Sequence, residues 1–298
     1  MRTFLINIFR FGVLLIFYKL ITFILLIPTF TNQSSNDFYG VDSNKHKIIL
    51  VGSSNLEHNI DYPLLNKTFE NYDVIGCNLN APSGLFATLN KLKQLNPSDQ
   101  DIIILCLPHS LYESEFLLPL KSNQKIGFNL DMVLKSFYNF PIPSLQSFFT
   151  LNINDVYDIG TKRGYLKPSN ENNLNTFSPS PKMQGSKDYL NCSINNEDMF
   201  FITNDTFEQG FLRKINTYIA SEFNSKIFYR YPAIRENNFD INKFRLQYLN
   251  EEFEFINSFK NSIYTENYWY NQWYHLNACG RDLNTEKLIL EIKSKIGI

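Results

Sequence analysis

Charge imbalance, metal-ligand clusters and paired cysteine motifs are what this sequence lacks. Its 28 Lys and Arg almost match its 29 Asp and Glu, for a net charge of -1. Without a basic excess there is no electrostatic footprint for a phosphate backbone, so nucleic acid is not an expected partner. The four cysteines, Cys77, Cys106, Cys192 and Cys279, form no Cys-x-x-Cys pair. The four histidines do not fall at metal-ligand spacing beside them, so neither a metal nor another cofactor is expected. Acidic residues are absent before Asp37, and alanine is absent before Ala81.

These last two absences bear on the N-terminus. Residues 11–30 are apolar apart from Tyr18, Lys19 and a few threonines. At 1.5 Å per residue, about 20 residues cross a hydrocarbon core of ~30 Å. Arg2 and Arg10 precede the run, which places the N-terminus in the cytoplasm and the remainder outside. A cleaved signal peptide calls for a short core and a small-x-small site; the long run without alanine fits an uncleaved anchor better. A buried helix of a soluble protein is the third reading. Residues 1–30 are therefore expected to be a membrane anchor, and the polar stretch 31–46 a linker.

Beyond the linker, apolar runs alternate with helical patterns. Strands are expected at 47–51, 73–77 and 102–107, with helices at about 60–69 and 85–95 between them. This alternation predicts a mostly parallel sheet covered on both faces, a three-layer α/β/α sandwich. Residues 111–205 then lose regularity. They are rich in Phe, Tyr, Asn and Ser, and Pro141, Pro143, Pro168, Pro179 and Pro181 interrupt any long helix. They read as an insertion over the carboxyl edge of the sheet, or as a purely structural excursion. Later elements are expected at 206–223 (helix), 227–229 (strand), 241–259 (helix), 262–264 (strand) and 281–296 (helix). Cys77 and Cys106 each end an apolar strand and are expected as buried thiols. A disulfide is permitted outside the cytoplasm, with its pairing left open.

Two stretches carry chemistry. Residues 47–58, Lys-Ile-Ile-Leu-Val-Gly-Ser-Ser-Asn-Leu-Glu-His, read as a buried strand, a tight glycine turn and a helix start. A serine there projects from the carboxyl end of a strand, where open α/β sheets bind ligands. Residues 274–285, Tyr-His-Leu-Asn-Ala-Cys-Gly-Arg-Asp-Leu-Asn-Thr, lie at the far end of the chain. Together the two stretches resemble the SGNH/GDSL hydrolase superfamily. Gly52-Ser53-Ser54 stands where that family has Gly-Asp-Ser, and His275 lies in its C-terminal histidine block. The fuller patterns, Gly-Ser-Ser-Asn before Ile60-Asp61 and His-Leu-Asn-x-x-Gly-Arg-x-x-x-Thr, are similar to a subgroup of envelope-associated bacterial members. The resemblance covers roughly 45–110 and 225–298.

The resemblance implies an SGNH-like fold for residues 47–298, with Ser54 as nucleophile and His275 as general base. A neutral hydroxyl needs such a base, and an imidazole titrates near neutrality. Read without the family, Ser53 and Ser54 could cap a helix, and His275 could be structural. Oxyanion donors would be the Ser54 amide and Gly84, preceded by Asn78 as the family's second block often is. The third block normally supplies an Asn; here Leu107-Pro108-His109-Ser110 stands instead, and His109 falls near that position. The family's Asp three or four residues before the histidine is replaced by Gln272 and Asn271, whose amide oxygens can orient an imidazole but not neutralise an imidazolium. Glu266 or Asp282 is a possible substitute. Arg281 and Thr285 are expected to lock the loop to the last helix, while His46 and His58 match no motif and are expected to face solvent.

Two functions from different classes follow. One is a serine esterase or O-acyltransferase acting on acyl groups of envelope or extracellular polysaccharide, at the bacterial cell membrane with the domain outside. Its partner would be an acylated glycan or small acyl ester. The other is a catalytically weak or inactive relative that binds a glycan or an assembly partner, its aromatic faces packing on sugars. For the anchor, a reporter fused after residue 298 should be active only if it is of the kind that works after export. Activity of a cytoplasm-only reporter at that position overturns the orientation.

Overall fold

The structure, a computed structural model, describes residues 2–26, 45–78, 84–107, 130–150, 192, 211–236, 254–271 and 275–298. Helix α1, Arg2–Leu26, is long and apolar enough to cross a membrane, with a mean hydropathy of 2.1 over its most apolar 18 residues, and nearly all of that stretch is exposed. Four parallel strands make the central sheet: β1 (His46–Gly52), β2 (Tyr72–Asn78), β3 (Ile102–Leu105) and β4 (Lys226–Tyr229), in the order β2-β1-β3-β4. The registers pair Ile48 with Val74 and Ile102, and Ile104 with Phe228.

Because side chains alternate across a strand, each strand feeds two cores. Ile49, Val51, Ile75, Ile103 and Leu105 face α4 (Leu85–Gln94), α5 (Leu130–Asn139) and α7 (Phe211–Glu222), through Phe86, Val133 and Ile219 among others. Ile48, Leu50, Val74, Ile102 and Ile104 face α2 (Ser54–Asn59), α3 (Tyr62–Thr68) and α8 (Ala278–Ile296), through Leu56, Leu65, Leu288 and Ile292. The expected α/β arrangement, a mostly parallel sheet with helices on both faces, is thus formed. Cys77 and Cys106 are buried free thiols, as expected, and burial pushes Cys77 up to about 12.

Four expectations need correction. The helix anticipated over 60–69 forms over a shorter span as α3, and the separate helix α2 ends before it. Ile60 is extended (φ -130°, ψ 137°), and Asp61 caps α3 by accepting from the Leu64 amide at 3.1 Å. Pro63 would also break a continuous helix, since it has no N–H to donate. The supposedly irregular 111–205 contains α5 and α6 (Pro141–Thr150), with Pro141 opening a helix, where its missing N–H costs nothing. The helix anticipated over 241–259 is absent from its described part. Residues 254–256 instead form a parallel rung beside Tyr229, with Tyr229 N–H donating to Glu254 O (3.0 Å) and Ile256 N–H to Tyr229 O (2.9 Å). The Asn257 amide then copies a strand edge, accepting from Tyr231 N–H at 2.9 Å and donating to Tyr231 O at 3.2 Å. The strand anticipated at 262–264 forms as β6 (Ile263–Tyr264), but it pairs with β5 (Ile234–Arg235) outside the main sheet.

After β4 the chain presents Arg230, which is buried. Its Nε donates to Glu291 of α8 at 2.7 Å and its Nη2 to Asn284 Oδ1 at 2.9 Å. A buried ion pair is hard to lose one member at a time, because the survivor is left desolvated and uncompensated. Arg230→Met should therefore lower stability by about 3–5 kcal/mol in urea unfolding. The double change Arg230→Met with Glu291→Met should recover most of that loss, and a double variant as unstable as the single one would contradict the assignment.

Candidate active site at the carboxyl edge of the sheet

In the strand order β2-β1-β3-β4 the chain leaves β1 toward one side and returns on the other. The reversal falls at β1, so its carboxyl end is the topological switch point, where α/β sheets place their ligands. Gly52 ends β1 there. A Cβ at Gly52 would lie 2.6 Å from Leu56 Cδ1 and 2.8 Å from the Cys106 carbonyl oxygen, so only glycine lets β1 turn this tightly into α2.

Ser53 follows in extended conformation at the N-cap position, yet its side chain does not cap the helix. Its Oγ donates to Asn55 Oδ1 at 2.9 Å, and its amide donates to the same oxygen at 3.0 Å. Ser53 is buried with its hydroxyl held in the turn. Asn55, given no role by the sequence reading, organises this turn. Ser54 is the first residue of α2; its side chain lies outside the described residues. After the neighbouring strand β2, Gly84 precedes α4 with φ 84° and ψ 164°, a conformation open to glycine. Ser54 and Gly84 thus follow adjacent parallel strands at the same sheet edge.

The histidine block is fastened to this edge by several bonds. β8 (His275–Leu276) pairs antiparallel with β7 (Trp269–Asn271), and Asn271 is the cross-strand partner of His275. Leu276 N–H donates to Asn59 Oδ1 at 2.7 Å, and Asn284 Nδ2 donates to the Asn59 carbonyl at 2.9 Å. The Asp61 amide donates to Thr285 Oγ1 at 2.9 Å, and Arg281 reaches the Asp61 carboxylate at 3.8 Å. Asn277 caps α8 by accepting from Gly280 N–H at 3.0 Å. Gly280 is itself obligatory, since a Cβ there would lie 2.5 Å from the Tyr268 carbonyl oxygen. The paired sequence patterns are therefore the two halves of one physical joint, in which Arg281 and Thr285 of α8 reach Asp61, where the sequence reading had them lock the histidine loop to the last helix.

His58 was expected to face solvent; instead it is buried. The last turn of α2 is covered by β8, and the His58 ring lies edge-on to His275 with centroids 4.3 Å apart. Nδ1 of His58 is buried with no hydrogen-bond partner among the described residues. Positions 54 and 58 are one helical turn apart, hence on one face of α2. Burial lowers the His58 pKa to about 4; burial, and secondarily His58, lowers that of His275 to about 3. Both rings are neutral at neutral pH.

The two carboxylates considered as substitutes for the missing acid are engaged with arginines. Glu266 pairs with Arg235 at 3.0 Å, and Asp282 with Arg281 at 3.1 Å. Glu57, in α2, has its pKa raised by burial and is opposed by Lys91 of α4. His109 and Gln272 lie outside the described residues, as does the Asn271 side chain. Cys279, in the first turn of α8, forms a disulfide with Cys192, so one point of the insertion is fixed beside the histidine block. Among the described residues no cluster of three metal-ligating side chains occurs. No family model, curated protein or solved structure matches the chain.

The two lowered imidazole pKa values have a stability consequence. The unfolded chain takes up protons as the pH falls below about 6.5, whereas the fold resists until about 4 at His58 and about 3 at His275. The unfolded state then binds more protons, and stability drops on acidification through this window. Urea midpoints should fall between about pH 7 and about pH 4, and His58→Phe should make that fall shallower. An unchanged slope in the variant would show that His58 is not buried as a neutral ring.

Proposed function

We propose that this chain is an SGNH-type serine esterase or O-acyltransferase of the bacterial envelope. In this reading α1 is a single-pass anchor, the domain lies on the extracytoplasmic side, and the substrate is an acyl group on envelope or extracellular polysaccharide. The observation that carries the reading is the joint between α2 and the histidine block. The helix that Ser54 begins, at the switch point of the sheet, is the helix against which His275 packs. The disulfide of Cys192 with Cys279 suits an oxidising compartment.

In the proposed reaction Ser54 Oγ attacks the acyl carbonyl carbon while His275 takes the hydroxyl proton. Amides at Ser54 and Gly84 stabilise the oxyanion. Collapse expels the alcohol, which recovers the proton from His275, and an acyl-enzyme remains. Water then completes hydrolysis, or a sugar hydroxyl completes transfer.

The protonated His275 formed in this step is the weak point. A pKa near 3 instead of 6.5 disfavours the imidazolium by roughly 5 kcal/mol. A triad carboxylate would offset this by Coulomb attraction, and the position opposite His275 carries Asn271. The same burial of His275 favours the second reading, a weak or inactive relative that binds a glycan or an assembly partner.

The two readings separate experimentally. A fluorophosphonate probe should label the wild-type protein slowly, and Ser54→Ala and His275→Ala should abolish labelling. Directly opposed cross-strand residues have Cβ atoms about 4.5–5.5 Å apart, so Asn271→Asp should accelerate turnover of a small acyl ester about tenfold or more by raising the His275 pKa. Gln272→Asp serves as the neighbouring control. Absence of labelling in every variant selects the binding protein over the enzyme.

A further inference from the structure

The α5–α6 pair meets two environments. Inward, Val133 and Phe140 are buried in the core against the sheet, Phe148 is buried beside Phe137, and the Ser136 and Ser144 hydroxyls bond each other at 3.1 Å where the helices adjoin. Outward, Leu134, Tyr138, Ile142, Leu145 and Phe149 are exposed, Tyr138 to 87% and Ile142 to 69%. Their spacing, four apart on α5 and then three and four apart on α6, makes one stripe along each helix. From Ser136 to Thr150 the chain carries no Asp, Glu, Lys or Arg. Single exposed apolar residues are ordinary, but five on adjoining helices, four of them within the uncharged segment, form a patch of the kind that marks a contact surface.

The neighbour of this patch identifies its occupant. Phe23, in the last turns of α1, lies edge-on to Phe137 of α5 at 6.2 Å and to Phe148 of α6 at 5.7 Å. Thr22 beside it is fully buried. The one described helix of membrane-spanning length therefore ends against both helices of the pair. At the bend between them, Arg213 and Lys214 line a groove with Asn139 and Phe140, and the Lys214 ammonium stands 5.1 Å from the Phe140 ring centroid. An apolar ridge with cations at its rim matches the acyl boundary and the anionic headgroups of a bilayer surface.

We propose that the α5–α6 pair is a membrane-surface element, its outward ridge seated in the headgroup–acyl boundary beside α1. The domain then lies against the bilayer instead of swinging from a tether. This inference rests on α1 being a membrane helix and is independent of the esterase reading.

The test uses the full chain in vesicles of phosphatidylethanolamine and phosphatidylglycerol, with a nitrobenzoxadiazole label on Ile142→Cys or Tyr138→Cys. Glu286→Cys, on the exposed face of α8, is the control. The native thiols Cys77 and Cys106 are buried, and Cys192 and Cys279 are joined, so the introduced thiol takes the label. Nitroxide-bearing lipid should quench labels at 142 and 138 and leave the label at 286 bright; aqueous iodide should do the reverse. Iodide quenching at 142 equal to that at 286 would overturn the proposal. Protection at 142 from both quenchers would overturn it too, since a protein surface or second copy would then cover the ridge. Flotation of the unlabelled chain with the vesicles reports on α1 separately, and a chain that fails to float removes the premise.

Discussion

Polar groups taken out of water must find partners, and in this protein that requirement falls on one seam between α2, β4 and α8. Asn59 offers a side-chain oxygen and a main-chain carbonyl at the end of α2, and both are met from the C-terminal segment. Asn284 in turn accepts from the Arg230 guanidinium and the Tyr264 hydroxyl, while Glu291 meets the Arg230 charge. Each group is satisfied only when the others are in place. Apolar packing of α8 on the sheet would tolerate sliding or rotation; this seam does not, because a shift would leave several desolvated groups unpaired. Register at the sheet edge, and with it the position of His275, depends on that chain of bonds.

The same seam sets the electrostatics of the candidate site. Bringing β8 over the end of α2 removes water from His58 and His275 together and leaves each ring facing another neutral ring. A serine hydrolase needs the imidazolium to be tolerated for the lifetime of the tetrahedral intermediate. Here burial opposes it, and the positions three and four residues before the histidine, 272 and 271, carry amide side chains. Burial therefore disfavours the charged intermediate that the proposed reaction would form at His275. Substrate chemistry that stabilises the intermediate from its own side would be favoured over generic esters.

The C-terminal end of α1 and the sheet edge draw on different parts of the chain. The first is packed by Phe137 and Phe148, the second by the joint of residues 52–61 with 275–285. The segment between α6 and α7 touches the second through Cys192, whose disulfide closes a span of 87 residues onto the start of α8. Tethering a long connection reduces the freedom of the unfolded chain and holds one point of that connection beside His275.

What the sequence alone determined is what local pattern can encode. Ile48–Val51 and Ile102–Leu107 are continuous apolar runs bounded by punctuation, so the parallel sheet and its buried thiols were legible without coordinates. The turn at Gly52 was legible because a tight glycine turn after a buried strand has few uses. Pairing of the two motif blocks was legible only as a resemblance; the bonds that explain it, through Asn59, Asp61, Asn284 and Thr285, were not. Tertiary structure alone decided the burial of His58. Its neighbours Glu57 and Asn59 are polar and its helix is short, so nothing local distinguishes it from a solvent-facing residue. Its environment is made by Leu276 and His275, reached across a separation of 217 residues in the case of Asn59 and Leu276. Desolvation is a property of what packs on a side chain, and a pKa that depends on it cannot be read from the residues beside it in the chain.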